Sequence, residues 1–236
     1  MNLRFVPLEG RARWAIVCLV ATALVSVLAI AANIRQINAI NDFVDGTRLD
    51  FNALTSTDHF KSVIAVFELI ALLAGGIAFI RWFHAAYRNV TLLAPVEVTY
   101  KPGWAIGAWF VPILGLWRPK QIADEIWHVG ELQPPPDPPP ADRLGKTTTV
   151  MAIWWALWII GSIVGNVSTR FFFGTDTLAH IRHTDELHIA ALLLDIVGAA
   201  FAIVVVRRIT HRLAGTTAPP PERVEVPAGA ELPPMP

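Results

Sequence analysis

Long apolar blocks dominate the hydrophobic pattern of this chain, with little of the regular alternation of apolar and polar positions typical of surface helices and strands. A helix needs about 20 consecutive, mainly apolar residues to cross the hydrocarbon core of a bilayer. Four blocks reach that length, at about residues 14–34, 62–83, 147–167 and 187–206. The pattern therefore predicts an all-α integral membrane protein with four transmembrane helices.

Composition agrees with this fold class and argues against several others. Hydrophobic residues make up 54% of the chain and charged residues 16%, whereas soluble domains carry about 25% charged residues. The formal net charge is zero, so no basic field favours a nucleic-acid partner. The single cysteine, Cys18, lies within the first apolar block, which excludes a disulfide framework and a cysteine-rich metal site. We expect no cofactor.

The first apolar block has an alternative interpretation as a signal peptide, because arginines precede it and Ala29-Ile30-Ala31 imitates a cleavage site. Its apolar run is longer than the ~7–15 residues of a signal-peptide hydrophobic region. We therefore interpret the block as an uncleaved transmembrane helix that follows a short cytoplasmic N-terminus, residues 1–13.

The distribution of Lys and Arg predicts the orientation, since short cytoplasmic loops collect these residues. With four spans and a cytoplasmic N-terminus, all but five of the 19 Lys and Arg lie on the cytoplasmic side. The five on the other side are Arg35, Arg48, Lys61, Arg170 and Arg182. We therefore expect both termini to be cytoplasmic.

A fifth apolar segment, residues 102–117, is too short and too interrupted to be another span. As a helix, Trp104–Leu116 would reach only about 20 Å, against a hydrocarbon core of about 30 Å. Pro112 would also remove a helical hydrogen bond and clash with the preceding turn. Irregular backbone at membrane depth is tolerated only against protein or a wet cavity. We expect a short re-entrant or interfacial hairpin packed on the cytoplasmic side of the bundle.

The residues after this hairpin predict a cytoplasmic amphipathic helix at 119–131. Apolar positions recur there at helical spacing, opposite a polar side, and such a helix lies along a membrane surface. The polar side consists of Lys120, Gln121, Asp124, Glu125 and His128. A Pro-rich linker at 133–143 follows, and the membrane domain, 14–212, ends before a Pro-rich tail at 213–236 that we expect to be disordered.

Two stretches carry a resemblance to a known family, RWFHAAYRN at 81–89 and PGWAIGAWFVPILGLWRPKQ at 102–121. They resemble a bacterial membrane family catalogued only as a domain of unknown function, number 4328. The resemblance implies a multi-pass protein of the bacterial cell membrane, and no mechanism. The motif residues, which we interpret as a binding module for a partner or lipid, are Trp82, Arg88, Asn89, Pro102, Gly103, Trp104, Gly107, Trp109, Phe110, Pro112, Leu116, Trp117, Arg118, Pro119 and Gln121.

Two carboxylates, Glu68 and Asp195, lie inside predicted spans, roughly 10–14 Å below the outer surface by helical rise. Intramembrane charge costs at least ~2.5–3.5 kcal/mol and usually faces the bundle interior. One interpretation is a protonatable pair that moves protons or cations. The other is two protonated acids that join helices by hydrogen bonds. We expect no Lys or Arg at that depth.

Three histidines, His180, His183 and His188, lie in the predicted outer loop close to acidic residues. Three imidazoles and a carboxylate suit zinc, but the spacing matches no zinc-protease motif. We expect solvated loop histidines and no metal.

Four cations, Arg88, Lys101, Arg118 and Lys120, gather beside aromatic residues at the predicted inner leaflet. They suit anionic lipid headgroups, since each cation near such a surface contributes about 1 kcal/mol. The alternative is the ordinary positive-inside anchor.

These observations favour a non-enzymatic membrane module that binds anionic lipid or another membrane protein. The alternative is a small proton, cation or solute transporter or channel that uses Glu68 and Asp195. A lipid-modifying membrane enzyme comes third, because the sequence offers no convincing nucleophile or metal set at the inner interface.

Overall fold

The computed structural model describes residues 5–46, 51–93, 98–131, 148–172 and 177–214. Regular structure within these ranges is entirely helical. It comprises α1 (Glu9–Val44), α2 (Phe51–Leu93), α3 (Trp104–Gly107), a 3-10 turn (Leu114–Leu116), α4 (Arg118–Glu131), α5 (Thr149–Phe172) and α6 (Leu178–Ala214). The predicted linker and nearly all of the predicted disordered tail lie outside the described residues.

Four helices are long and apolar enough to cross a membrane, as the sequence predicts. They cover Glu9–Val44, His59–Leu93, Thr149–Ser168 and Leu178–Leu213. Large aliphatic side chains such as Leu24 and Leu72 are exposed on their outer surfaces, which is the arrangement expected for contact with lipid. The all-α architecture of a multi-pass membrane protein is therefore confirmed.

The helices extend beyond the predicted spans. α1 begins at Glu9, so the predicted N-terminal segment is partly helical. α1 ends at Val44, where Gly46 adopts a φ of 69° that favours glycine after a helix. α6 begins at Leu178, so the stretch HIRHTDELH is helical and the prediction of an outer loop there is wrong. The apolar pattern misplaced this boundary because a helix can continue past the hydrophobic core of the membrane.

The four long helices pack in the order α2, α1, α6, α5. α1 lies between α2 and α6, and small buried residues such as Ala15, Ala29 and Ala32 let these helices approach closely. α5 packs along α6, and it meets α2 where the ring of Phe79 contacts the ring of Trp154, with centroids 5.7 Å apart. Another part of the chain also contacts both helices.

The segment 98–131 occupies one end of this arrangement, which we call the hairpin end, and the segment itself is the hairpin module. α3 packs against α2, and α4 packs against α2, α5 and α6. The side chains of Asp124 and His128, expected on an exposed polar side of α4, are buried. Both buried side chains have polar partners within α4. Lys120 Nζ lies 2.7 Å from Asp124 Oδ2, and His128 Nδ1 lies 2.6 Å from the Asp124 carbonyl oxygen.

Candidate functional site

Trp109 is the centre of an aromatic cluster at the hairpin end. Its ring centroid lies 5.8 Å from those of Phe79 and Phe83 on α2. On the other side, it lies 6.1 Å from Trp155 and 5.5 Å from Trp158 on α5. All four contacts are edge-on, the arrangement that aromatic quadrupoles favour. Trp109 therefore adds to the direct contact between Phe79 and Trp154 in joining α2 to α5.

Hydrogen bonds from indole N–H groups to backbone carbonyls fix the shape of the hairpin around the Trp109 ring. The Trp155 indole N–H donates to the Leu116 carbonyl at 3.1 Å, and the Trp109 indole N–H donates to the Ala105 carbonyl at 3.1 Å. A Cβ at Gly115 would lie 3.3 Å from the Ala108 carbonyl oxygen. The two limbs of the hairpin thus approach closely, and glycine suits this point of contact.

Two tyrosines, Tyr87 of α2 and Tyr100 of the hairpin module, connect α2 to the module and to α4 within it. The buried Tyr87 hydroxyl lies 2.6 Å from Glu125 Oε2 and accepts the backbone N–H of Tyr100 at 3.1 Å. The Tyr100 hydroxyl donates to Gln121 Oε1 at 2.8 Å. Gln121, a motif residue, therefore orients the Tyr100 ring.

Arg118 lies against the rings of this module. Its guanidinium carbon is 4.2 Å from the Trp104 ring centroid and 5.0 Å from the Tyr100 ring centroid. The Nε atom is buried without a hydrogen-bond partner, and no acidic side chain among the described residues pairs with the guanidinium. Arg118 is thus a half-buried cation positioned by aromatic rings, with donors that remain available to an anion.

The opposite side of the hairpin exposes apolar side chains. Phe110 is 72% exposed and Ile113 is 69% exposed. Ile106, Val111, Leu116 and Trp117 are also exposed. We call these six residues the hairpin tip. The hairpin therefore has one side held by aromatic packing and another side that is exposed within the part of the chain that the structure describes.

Other motif residues hold the fold together. The Trp82 indole N–H donates to Thr210 Oγ1 at 3.0 Å, which links α2 to α6. The Asn89 side chain binds both the N–H and the carbonyl of Val6 at 2.8 Å. Arg88 is half-buried on the same helix. These contacts give Trp82 and Asn89 structural roles.

The turns of the hairpin contain the remaining motif residues. Pro102 and Gly103 form the turn before α3, which ends at Gly107. Pro112 lies in the turn between the limbs, and Pro119 lies in the first turn of α4. A proline costs little at these positions because a turn or a helix start needs no helical donor there.

A second polar region lies at the far end of the bundle, between α1, α2 and α6. There Glu68 Oε1 lies 3.6 Å from His188 Nε2, and the Asn33 side-chain amide lies 3.3 Å from His188 Nδ1. Lys61 and Asp185 form an ion pair beside them. These residues line a cavity of about 250 Å³, which we call the far-end cavity.

Asp195 does not line this cavity. It is exposed on α6, and a Cβ at Gly161 of α5 would lie 3.3 Å from its Oδ1. Glu68 instead contacts His188, which lies about 10 Å from Asp195 along α6 by helical rise. The structure therefore places Glu68 in direct contact with a histidine, while Asp195 lies outside the cavity but within electrostatic range of Glu68.

The three candidate histidines have different surroundings. His183 is exposed, with Nδ1 3.2 Å from Glu186 Oε2. His188 points to Glu68 and Asn33, and His180 lies nearer the start of α6. Among the residues described by the structure, His, Cys, Asp and Glu form no group of three or more that could hold a metal ion.

Sequence reasoning missed Asn33, the pairing of Lys61 with Asp185 and the contact of His188 with Glu68. Lys61 was expected outside the membrane and not at the depth of Glu68, and that expectation is wrong because both side chains line the far-end cavity. The long aliphatic stem of lysine lets its ammonium reach a polar site along an apolar surface. One available signal was Asn33, a polar residue within the first apolar block.

Comparison with family models identifies one match, which covers residues 45–211 and includes both motif stretches and the far-end residues of α2 and α6. Comparison with curated proteins and with solved structures gave no match. The matched region covers well over half of the 236 residues. The chain therefore belongs to the family described as Domain of unknown function (DUF4328).

Proposed function

We propose that this chain is a non-enzymatic, multi-pass protein of the bacterial cell membrane that binds an anionic lipid headgroup at Arg118. The observation that carries the proposal is the position of the Arg118 guanidinium, which lies against Trp104 and Tyr100 without an acidic partner among the described residues. The exposed apolar hairpin tip lies on the same short segment.

The chemistry of this arrangement suits a phosphate group. A guanidinium presents planar donors that match phosphate oxygens, and it stacks well on aromatic rings. The contact with Trp104 and Tyr100 reduces the rotamer freedom of Arg118 before a ligand binds. Other cations of the same segment, such as Lys101, strengthen the attraction to an anionic surface, each by about 1 kcal/mol.

The proposal includes an orientation. Most Lys and Arg residues, Arg118 included, lie on the cytoplasmic side when both termini are cytoplasmic. The hairpin then enters the membrane from the cytoplasm and returns, because its length is insufficient for a crossing. Phe110 and Ile113 lie among lipid chains, and Arg118 lies at headgroup level. α4 follows at the cytoplasmic side of the bundle.

Lipid retention by the purified full chain tests this proposal. The protein is extracted in mild detergent with equal amounts of phosphatidylglycerol and phosphatidylcholine, and the lipids that remain bound are counted by native mass spectrometry. We expect preferential retention of phosphatidylglycerol. Arg118→Gln should reduce that preference by roughly fivefold or more, since about 1 kcal/mol per surface cation is a lower bound for a held guanidinium.

Two further variants separate a specific site from the ordinary positive-inside anchor. Arg208→Gln removes an exposed cation of α6 at the same end of the bundle and should leave retention unchanged. Arg118→Lys keeps the charge but loses the planar donors, so it should retain less lipid than the natural protein. Equal losses in Arg118→Gln and Arg208→Gln would refute a headgroup site at Arg118.

Transport by Glu68 together with Asp195 finds less support. A protonatable pair requires both carboxylates in one polar environment, whereas Asp195 does not line the far-end cavity. The closest polar contact of Glu68 is with His188, and Asp195 acts on Glu68 only electrostatically, from outside the cavity.

A further inference from the structure

The far-end cavity combines polar side chains with space inside the apolar part of the bundle. Its volume of about 250 Å³ corresponds to about eight water molecules at ~30 Å³ each. Glu68 and His188 are partly accessible, with 20% and 32% of their side-chain surfaces exposed. The cavity is therefore large enough for a small organic molecule and has reachable polar groups.

The charges of the cavity are unevenly matched. Lys61 is paired with Asp185 and also attracts the Glu68 carboxylate, so one ammonium faces two carboxylates. Glu68 has its closest polar contact with His188, at 3.6 Å, which is longer than a hydrogen bond. Burial of two carboxylates beside a single ammonium is costly. The cavity therefore offers an acceptor that a ligand with N–H donors would satisfy.

Asn33 lines the cavity beside His188. Its side-chain nitrogen donates to the Ala29 carbonyl at 2.7 Å, and a carbonyl can only accept, so the orientation of the amide is fixed. The Oδ1 atom is consequently directed elsewhere, and it is buried without a hydrogen-bond partner among the described residues. Asn33 is only 1% exposed. Oδ1 has almost no accessible surface, so a ligand in the cavity does not reach this atom, and the role of Asn33 is to orient His188.

The same contacts define the state of His188. Nδ1 faces the Asn33 amide nitrogen, a donor, at 3.3 Å, so Nδ1 acts as the acceptor. The proton of the neutral ring then lies on Nε2, which faces Glu68. A neutral imidazole in this tautomer leaves the carboxylate charge in place. Apolar walls complete the cavity, including Ile64, Ala65 and Ala32.

From these features we infer that the far-end cavity is a binding site for a small organic ammonium ion. The ammonium group would donate to Glu68, and a short alkyl body would contact Ile64 and Ala65. An anion is disfavoured because the cavity is lined by two carboxylates, Glu68 and Asp185, and a single ammonium, Lys61. A neutral alcohol carries no charge to compensate the second carboxylate. This site is independent of the lipid site at Arg118.

Calorimetric titration of the full chain in nanodiscs tests the inference. Propylammonium chloride is the probe, the nanodisc lipid is zwitterionic, and empty nanodiscs provide the baseline. Propionate and propanol serve as matched anionic and neutral probes, with sodium chloride at equal ionic strength. We expect saturable binding of propylammonium only. Absence of saturable binding, or tighter binding of propionate, would overturn the inference.

Two single substitutions test whether propylammonium binds in the far-end cavity. Glu68→Gln should weaken propylammonium binding by about tenfold or more, because a charge-assisted hydrogen bond is lost. Glu186→Gln removes an exposed carboxylate of α6 and should have no effect. Equal affinity in Glu68→Gln and the natural protein would contradict the assignment.

A second variant covers the case in which Glu68→Gln does not fold. Ala65 is exposed yet lines the cavity, so Ala65→Leu fills the cavity while it leaves every charge in place. It should reduce binding of propylammonium by at least fivefold, without loss of helical circular dichroism. Undiminished binding in a folded Ala65→Leu protein would overturn the inference.

Discussion

The indole ring of Trp109 lies edge-on to that of Trp158, with ring centroids 5.5 Å apart and an interplanar angle of 84°. This contact joins the hairpin to α5, while the opposite side of the Trp109 ring contacts α2. The helices α2 and α5 also meet directly at Phe79 and Trp154, with ring centroids 5.7 Å apart. The Trp- and Pro-rich motif therefore has a structural role, because it closes one end of the bundle.

Replacement of Trp109 should destabilise the protein strongly. Trp109→Ala removes a ring that contacts two helices, and we expect a loss of about 3–5 kcal/mol in the free energy of unfolding. Unfolding by sodium dodecyl sulfate in mixed micelles, followed by circular dichroism, measures this quantity. Trp117→Ala is the control, since Trp117 is exposed at the hairpin tip, and it should change stability by less than ~1 kcal/mol. Equal effects of the two substitutions would show that Trp109 does not join the helices.

Asn89 should hold the segment before α1. Its side chain binds both backbone polar groups of Val6 and is fully buried. Asn89→Ala leaves these groups unsatisfied, at a cost of about 1–3 kcal/mol, and we expect faster protease cleavage near Val6. Asn166→Ala is the matched control, because Asn166 is exposed and bonds only within its own helix. Unchanged cleavage in Asn89→Ala would contradict this role.

The Lys61–Asp185 pair should be energetically coupled. Lys61→Met or Asp185→Asn alone leaves one partially buried charge without its partner, and we expect a loss of roughly 3–5 kcal/mol for a buried pair, less where water reaches Lys61. The double variant should recover much of that loss, which a double-mutant cycle of unfolding free energies detects.

An exposed pair provides the comparison. Arg182 and Glu186 lie one turn apart on α6, with about half of each side chain exposed. Their coupling should be about 0.3–0.5 kcal/mol. If the Lys61–Asp185 coupling were equally small, the ion pair would not contribute to the packing of α2 against α6 beside the far-end cavity.

Much of the architecture could be predicted because it depends on local properties of the chain. The length of each apolar block predicts four membrane helices, and these are present. The apolar stretch at 102–117 is interrupted by Pro and Gly, which predicts a segment that does not cross the membrane. Within it the structure has the short helix α3 and a 3-10 turn. Helix ends were harder to predict: α6 starts at Leu178, well before its apolar residues.

The candidate sites depend on tertiary packing, which the sequence pattern does not contain. Glu68 and Asp195 have similar predicted depths, but the relative register of α2 and α6 places His188 beside Glu68. Asp124 and His128 lie on the polar side of a helical pattern, yet α4 packs among three helices and both are buried. The contact of Arg118 with Trp104 also arises from the folded hairpin.

The depth of the hairpin tip in the membrane tests the central claim most directly. In a Cys18→Ala background, spin labels are attached at Phe110→Cys and at Lys101→Cys, and the protein is reconstituted in bilayers. Collision rates with oxygen and with a water-soluble nickel complex are then compared by electron paramagnetic resonance. We predict that oxygen, which concentrates in lipid, relaxes the label at position 110 more strongly, and that the nickel complex relaxes the label at position 101 more strongly. Equal accessibility of both labels to the nickel complex would contradict insertion of the hairpin tip into the bilayer.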